Sequence, residues 1–164
     1  MNLLNQLCMK MVQYYENDPV RIHHFISVHA LAKLIAEEEG VDKHTLFILE
    51  AASYVHDIGI KAAIAKYNST NGSYQELEGE PLARKMLTDL GFLTEDIDRI
   101  CYLVAHHHQY IDIDGIDYQI LVEADFLVNF TSDNMLKDSI LSVYDKVFKT
   151  ETGKFISEEM YQIK

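Results

Sequence analysis

Residues 50–59 run EAASYVHDIG, an apolar stretch that ends on His56 beside Asp57, with Gly59 two residues later. Leu46, Leu49, Ala52 and Val55 precede the pair at threefold spacing and form one stripe of a helix expected over about residues 43–58. A glycine just past the last periodic residue marks a helix C-cap. Neighbouring helical side chains point about 100° apart, so His56 and Asp57 grip one ion only if it lies between their directions, near an open helix end. Taken alone, the dipeptide reads as a satisfied core histidine beside a solvent-facing aspartate.

Working outward, apolar residues recur at helical rather than alternating spacing in nearly every segment, and only 7 Gly and 2 Pro punctuate the chain. The expectation is an all-α domain of about six to eight helices. Helices are expected over about residues 2–16, 19–40 and 43–58, then 81–90 and from 94 into a histidine triplet, and finally over about 118–130 and 134–149. Pro19 opens the second and Gly40 stops it, with Ile22, Phe25, Ile26, Leu31, Leu34 and Ile35 inward. Residues 61–78, which include the polar string KYNSTNGSYQELEG, read as a long surface loop of the kind that forms substrate lids. Residues 112–117 read as a turn.

The 164 residues fit one domain, residues 1–164, and 48% apolar against 24% charged residues excludes a disordered chain. No stretch approaches 18 uncharged apolar residues and the first residues are amphipathic, so neither a membrane nor a secretory leader is expected. The formal net charge of −12 repels phosphate backbones, which argues against nucleic acid as a partner. An anionic substrate would need a local positive centre such as a metal ion. Cys8 and Cys101 are isolated in apolar helical patterns, which fits a reduced, cytoplasmic setting. Neither falls in a nucleophile motif, and no G-x-S-x-G or glycine-rich phosphate loop is present.

The other chemistry-bearing residues fall in a few strings. His23, His24 and His29 lie in RIHHFISVHALAKLIAEEEG, and the triplet His106-His107-His108 in YLVAHHHQY. Asp125 sits in ILVEADFLVNF with apolar residues on every helical face, so it is paired or ligating. Three successive helical histidines fan over about 200°, so one or two of them face inward, unless all serve as a cationic helix end. Lys61, four residues after Asp57, suits a substrate phosphate, whereas Lys66 and Arg84 read as solvated.

Together these strings resemble the HD-domain superfamily of metal-dependent phosphohydrolases, in its small, single-domain bacterial-type form. The likeness covers most of the chain, with a metal-binding core over about residues 19–130. It implies His24, His56, Asp57 and Asp125 as ligands; His24 is chosen over His23 and His29 because it lies 16 residues before Gly40. Two imidazoles and two carboxylates suit one or two divalent ions of Mn, Fe, Co, Ni or Zn. In two-metal relatives Asp57 would bridge, with further histidines on the second ion. Here no histidine lies between His56 and His106; Glu76 is the expected substitute, beside His106 and His107, although the same glutamates suit a solvated helix start.

The resemblance implies hydrolysis of a nucleotide or another small phosphate ester by metal-activated water, with Asp57 orienting or deprotonating the water and His106 or Lys61 stabilising the leaving side. A di-iron oxygenase and a non-catalytic metal-binding sensor or interaction module stay open, as does a homo-oligomer.

Overall fold

The computed structural model describes residues 2–163; the outermost residues of the expected domain, 1 and 164, lie outside them. The described residues form α-helices and no strands: α1 (Leu3–Tyr14), α2 (Pro19–Glu38), α3 (Lys43–Val55), α4 (Ile60–Tyr67), α5 (Gly72–Leu90), α6 (Thr94–His106), α7 (Ile116–Ser132), α8 (Lys137–Val147) and α9 (Glu151–Tyr161). They pack as a single compact domain around α3, which touches α1, α2, α6 and α7. Every residue from Ile48 to Val55 is buried, because an all-round apolar helix must be covered on all sides. Two polar residues are satisfied inside it: the Ser53 hydroxyl donates to the Leu49 carbonyl, and Glu50 meets His29 and Lys33 of α2.

The caps follow the local chemistry. Asn17 takes a left-handed conformation (φ 64°), the Asp18 carboxylate accepts from the Arg21 N–H and Pro19 starts α2; Gly40 ends the hairpin to α3 at φ +70°. The buried stripe of α2 is Phe25, Val28, Ala32, Ile35 and Ala36. Ile26 and Leu34, expected inward, are 42% and 46% exposed, because the small Val28 and Ala32 make the close face.

The expected long loop is largely helical. Residues 60–67 form α4, closed by Asn68 in a left-handed conformation, and α5 begins at Gly72, where the Asn71 side chain accepts from the Ser73 N–H. The polar residues that suggested a loop are thus two caps around a short link. Pro81 lies inside α5 instead of opening it; Leu77, whose carbonyl loses its usual donor, is 62% exposed, so water can serve it. Helix α9, for which the periodicity predicted no separate element, is anchored by Glu123 of α7. That fully buried carboxylate accepts from the Lys149 and Thr150 backbone N–H groups and the Thr150 hydroxyl. No helix of the described residues is long and apolar enough to cross a membrane.

Gly59 is not a left-handed cap: its φ is −76°. Its need for glycine comes from close approach to α5, where a Cβ at residue 59 would lie 2.0 Å from the Gln75 carbonyl oxygen and 2.7 Å from the Gly79 nitrogen. The turn between α3 and α4 is therefore pressed against α5. From its other side Tyr15 donates to the Asp57 carbonyl (2.6 Å), which also accepts from the Ile60 N–H (3.1 Å), and Tyr14 donates to the Ile58 carbonyl (3.1 Å).

Candidate metal centre

This clamped turn presents His56 and Asp57 toward α2 and α7. His24 Nε2 lies 3.1 Å from His56 Nε2, from Asp57 Oδ2 and from Asp125 Oδ1, and His56 Nε2 lies 3.4 Å from the same two oxygens. A regular tetrahedron with such edges has its centre about 2 Å from each corner, the length of a transition-metal bond to nitrogen or carboxylate oxygen. His56 Nδ1–H donates to the Ser53 carbonyl (2.8 Å), which leaves the Nε2 lone pair directed at the centre in the neutral ring. Asn129, one turn along α7, donates to Asp125 Oδ1 and holds it in place. The four expected ligands thus converge, and their donor set and spacing fit one divalent ion.

The charges show the same focus. Burial works against protonation of His24, but hydrogen bonds to Asp125 and Asp57 outweigh it and lift this imidazole to about 8. His56 follows the same pattern more strongly, burial being overcome by the charge of Asp57 and by contacts with both carboxylates. Burial would raise Asp57 and Asp125, yet the surrounding histidines hold both well below the usual carboxylate range.

A second group adjoins the first. Asp57, His107 and His108 bring ligating atoms together, so Asp57 belongs to both groups. His107 is buried, its Nδ1–H donates to the Val104 carbonyl (2.9 Å), and its Nε2, 3.4 Å from Asp57 Oδ1, has no hydrogen-bond partner among the described residues. His108 Nδ1 is likewise buried and unpartnered. Burial and the neighbouring His107 push the His108 imidazole down to about 4, the neutral form that a metal requires. Unpartnered buried nitrogens beside a carboxylate are what an ion site would explain.

Three expectations change here. His106 joins neither group: its ring stacks on Tyr102 and its Nδ1 meets the Tyr102 carbonyl. The reason is that α6 ends at His106, so His108 follows a turn rather than the 100° steps of a continuing helix, and it takes the inward place. Glu76 lies in neither group; its two oxygens accept from the His108 N–H (3.0 Å) and the Gln109 side chain (3.2 Å), holding the turn that carries His108. Lys61 points back to α1, donating to the Tyr14 carbonyl (3.2 Å) and lying over the Tyr14 ring. Lys66 and Arg84 pair with Glu78 and with Glu80 and Asp98. Burial pushes the Cys101 thiol up to about 12, which leaves it a poor nucleophile.

Reading the sequence alone missed Arg21. A cavity of about 390 Å³ between α2 and α7 is lined by Arg21, His24, Ser27, Asp57 and Asn129, so it opens onto the ligands. The Arg21 guanidinium makes no hydrogen bond or ion pair among the described residues, whereas Arg84 and Arg99 are each held by two carboxylates. Its one visible signal is its place one turn before His24 on the same helix.

An all-helical domain whose buried centre gathers two imidazoles and two carboxylates beside a cavity has the donors to hold a divalent ion. The family model described as HD domain matches residues 21–149, and the chain belongs to the HD domain family. Among solved structures it is similar to a predicted HD superfamily hydrolase from an uncultured Thermotogales bacterium, at 22% identity and a TM-score of 0.69, over 96% of this chain and 84% of that one. It is also similar to YpgQ of Bacillus subtilis, at 18% identity and a TM-score of 0.68, over 98% and 89% of the two chains. At these identities the likeness establishes the shared fold. A search of curated proteins finds no match.

Proposed function

We propose that this HD domain is a metal-dependent phosphohydrolase acting on a nucleotide or another small phosphate ester. The observation that carries the reading is Arg21, which pairs with no carboxylate among the described residues, in the cavity that His24, Asp57 and Asp133 line, a cation placed for a phosphoryl oxygen in a chain of net charge −12. His24, His56, Asp57 and Asp125 would hold the ion, and Asp57, His107 and His108 a second one. A bound divalent ion supplies Lewis acidity toward a phosphoryl oxygen and lowers the pKa of water toward neutrality.

The chain's own residues then do the rest. Arg21 binds and orients the phosphate, the role first expected of Lys61, whose ammonium is engaged at the end of α1. Asp57 orients the attacking water, and Asn129 keeps Asp125 fixed. His107 and His108, adjacent to Asp57, take the place first expected of His106 on the leaving side.

The test is phosphate release from nucleoside mono- and triphosphates and from p-nitrophenyl phosphate by protein loaded with Mn, Fe, Co, Ni or Zn, beside Asp57→Asn. Turnover that Asp57→Asn abolishes while the helical circular-dichroism spectrum persists supports the reading. Metal-loaded protein that releases no phosphate from any of them overturns it; dioxygen uptake by an iron-loaded form would move the chain to the oxygenase class.

A further inference from the structure

Four buried side-chain nitrogen and oxygen atoms lack a hydrogen-bond partner among the described residues, and three of them belong to one junction: His107 Nε2, His108 Nδ1 and Gln75 Oε1. The fourth, the Ser157 hydroxyl, lies on α9. Gln75 is only 8% exposed, so its amide oxygen has given up bulk water without gaining a protein donor.

The junction is built outward from α5. Gly72 and Gln75, three residues apart, share a face at the start of that helix. A Cβ on Gly72 would lie 2.9 Å from His108 Nδ1, so on that side α5 meets the second histidine. On the other side a Cβ on Gly59, two residues past Asp57, would lie 2.0 Å from the Gln75 carbonyl oxygen. Residues 72–75 are therefore wedged between the turn that carries Asp57 and the turn that carries His108. The Gln75 side chain is oriented as well: its Nε2 donates to the Thr70 carbonyl (2.6 Å), which fixes the amide and leaves Oε1 as the free atom. The three orphan atoms do not bond to one another, so whatever satisfies them is a further atom that these side chains surround.

We infer that Gln75 Oε1 is a ligand of the second ion, beside Asp57, His107 and His108, in the place first expected of Glu76. The inference rests on the reading under which those three residues hold that ion. An amide oxygen is a neutral, hard donor that suits Mn, whereas another imidazole would favour Zn or Ni. It also leaves the ion one charge more positive than a glutamate would, which helps to draw an anionic group to a chain of net charge −12.

The test titrates the metal-free full chain with Mn and with Zn by calorimetry, and with Co by visible absorption, which reads the ligands around each ion. The wild type should bind in two steps. Gln75→Leu should weaken the second step by at least the roughly 10- to 100-fold that loss of a supporting group costs, and leave the first unchanged. Gln75→Glu keeps the oxygen but loses the donor to Thr70, and it should bind the second ion more tightly; Gln75→His should retain that ion and shift its preference from Mn toward Zn. Urea midpoints of the metal-free forms show which variants fold, and if Gln75→Leu does not, Gln75→Glu and Gln75→His decide by the same readings. A second step of wild-type affinity in folded Gln75→Leu overturns the inference. So does a second step that Gln75→Glu weakens, because the effect would then belong to the Thr70 contact. A wild type that takes up one ion only overturns it together with the second ion, while phosphate release at the first ion would still stand.

Discussion

Nε2 of His24 and Nε2 of His56 face each other across 3.1 Å, with a carboxylate oxygen on either side. Because His56 Nδ1 donates to the Ser53 carbonyl, its Nε2 carries a lone pair in the neutral ring, and this contact is attractive only with a proton or a cation between the rings. The expected outcome is competition between the two. His24 is lifted to about 8 without metal, so protons hold the site below that pH and leave it as pH rises through about 8. Apparent metal affinity should therefore increase from pH 6 to pH 9, with protons released on binding, both measurable by calorimetry in buffers of different ionisation enthalpy.

Asp57 belongs to both groups of ligands, whereas His108 belongs to one. Elemental analysis of protein purified without chelator should find about two ions in the wild type, none in Asp57→Ala and one in His108→Ala. Glu76→Ala, by freeing the turn at residue 108, should weaken the second ion roughly 10- to 100-fold without removing it. His106→Ala should leave the content unchanged; a loss equal to that of His108→Ala would mean that the ring stacked on Tyr102 is the ligand.

Arg21→Ala should raise KM for phosphate esters by roughly tenfold or more and change metal content little, since the guanidinium lines the cavity without touching the ligands. Arg21→Lys should recover part of the loss, because the charge returns but the two-pronged geometry does not. An unchanged KM in Arg21→Ala would remove the phosphate role.

Gly59→Ala should destabilise the domain by more than about 4 kcal/mol or prevent folding, because the new methyl would meet the backbone of α5 at 2.0 Å and neither chain can retreat. Gly40→Ala, with open space around its Cβ but φ +70°, should cost only about 1–2 kcal/mol. Urea denaturation of the two variants separates a steric requirement from a conformational one.

His44 on α3 meets Asp96 at the start of α6 at 2.7 Å, and this contact raises its pKa above the ordinary imidazole value of about 6.5. The contact therefore stabilises the fold fully below that unfolded value and loses its effect as pH rises through the higher folded one. The gap in urea midpoint between wild type and His44→Gln should be wider at pH 5.5 than at pH 8.5, and it should narrow with salt, since the imidazole is exposed. A gap independent of pH would show that the imidazole acts through packing alone.

The helical class and the need to satisfy Asp125 were legible in the sequence. Each is a property of one helix: threefold apolar spacing names the element, and a charged residue inside an all-apolar turn has to find a partner wherever that turn packs. The polar string of residues 61–78 misled because asparagine and serine serve loops and helix caps alike, and only the packing of Ile60 and Ala63 under α5 selects the caps. For the same reason Glu76 could be a ligand or a brace until the turn at residues 107–109 was placed against it.

By itself, then, the sequence determined the helical class, most of the helices and which residues inside them could not be left unpartnered, since periodicity and burial act along one segment at a time. Only the tertiary structure decided that α6 stops at His106 and so brings His108 inward, and that Lys61 turns away while Arg21 stays unpaired in the cavity. Those outcomes depend on distances between segments far apart in the chain, where a turn of one residue or a rotation of one helix changes which side chain faces the centre.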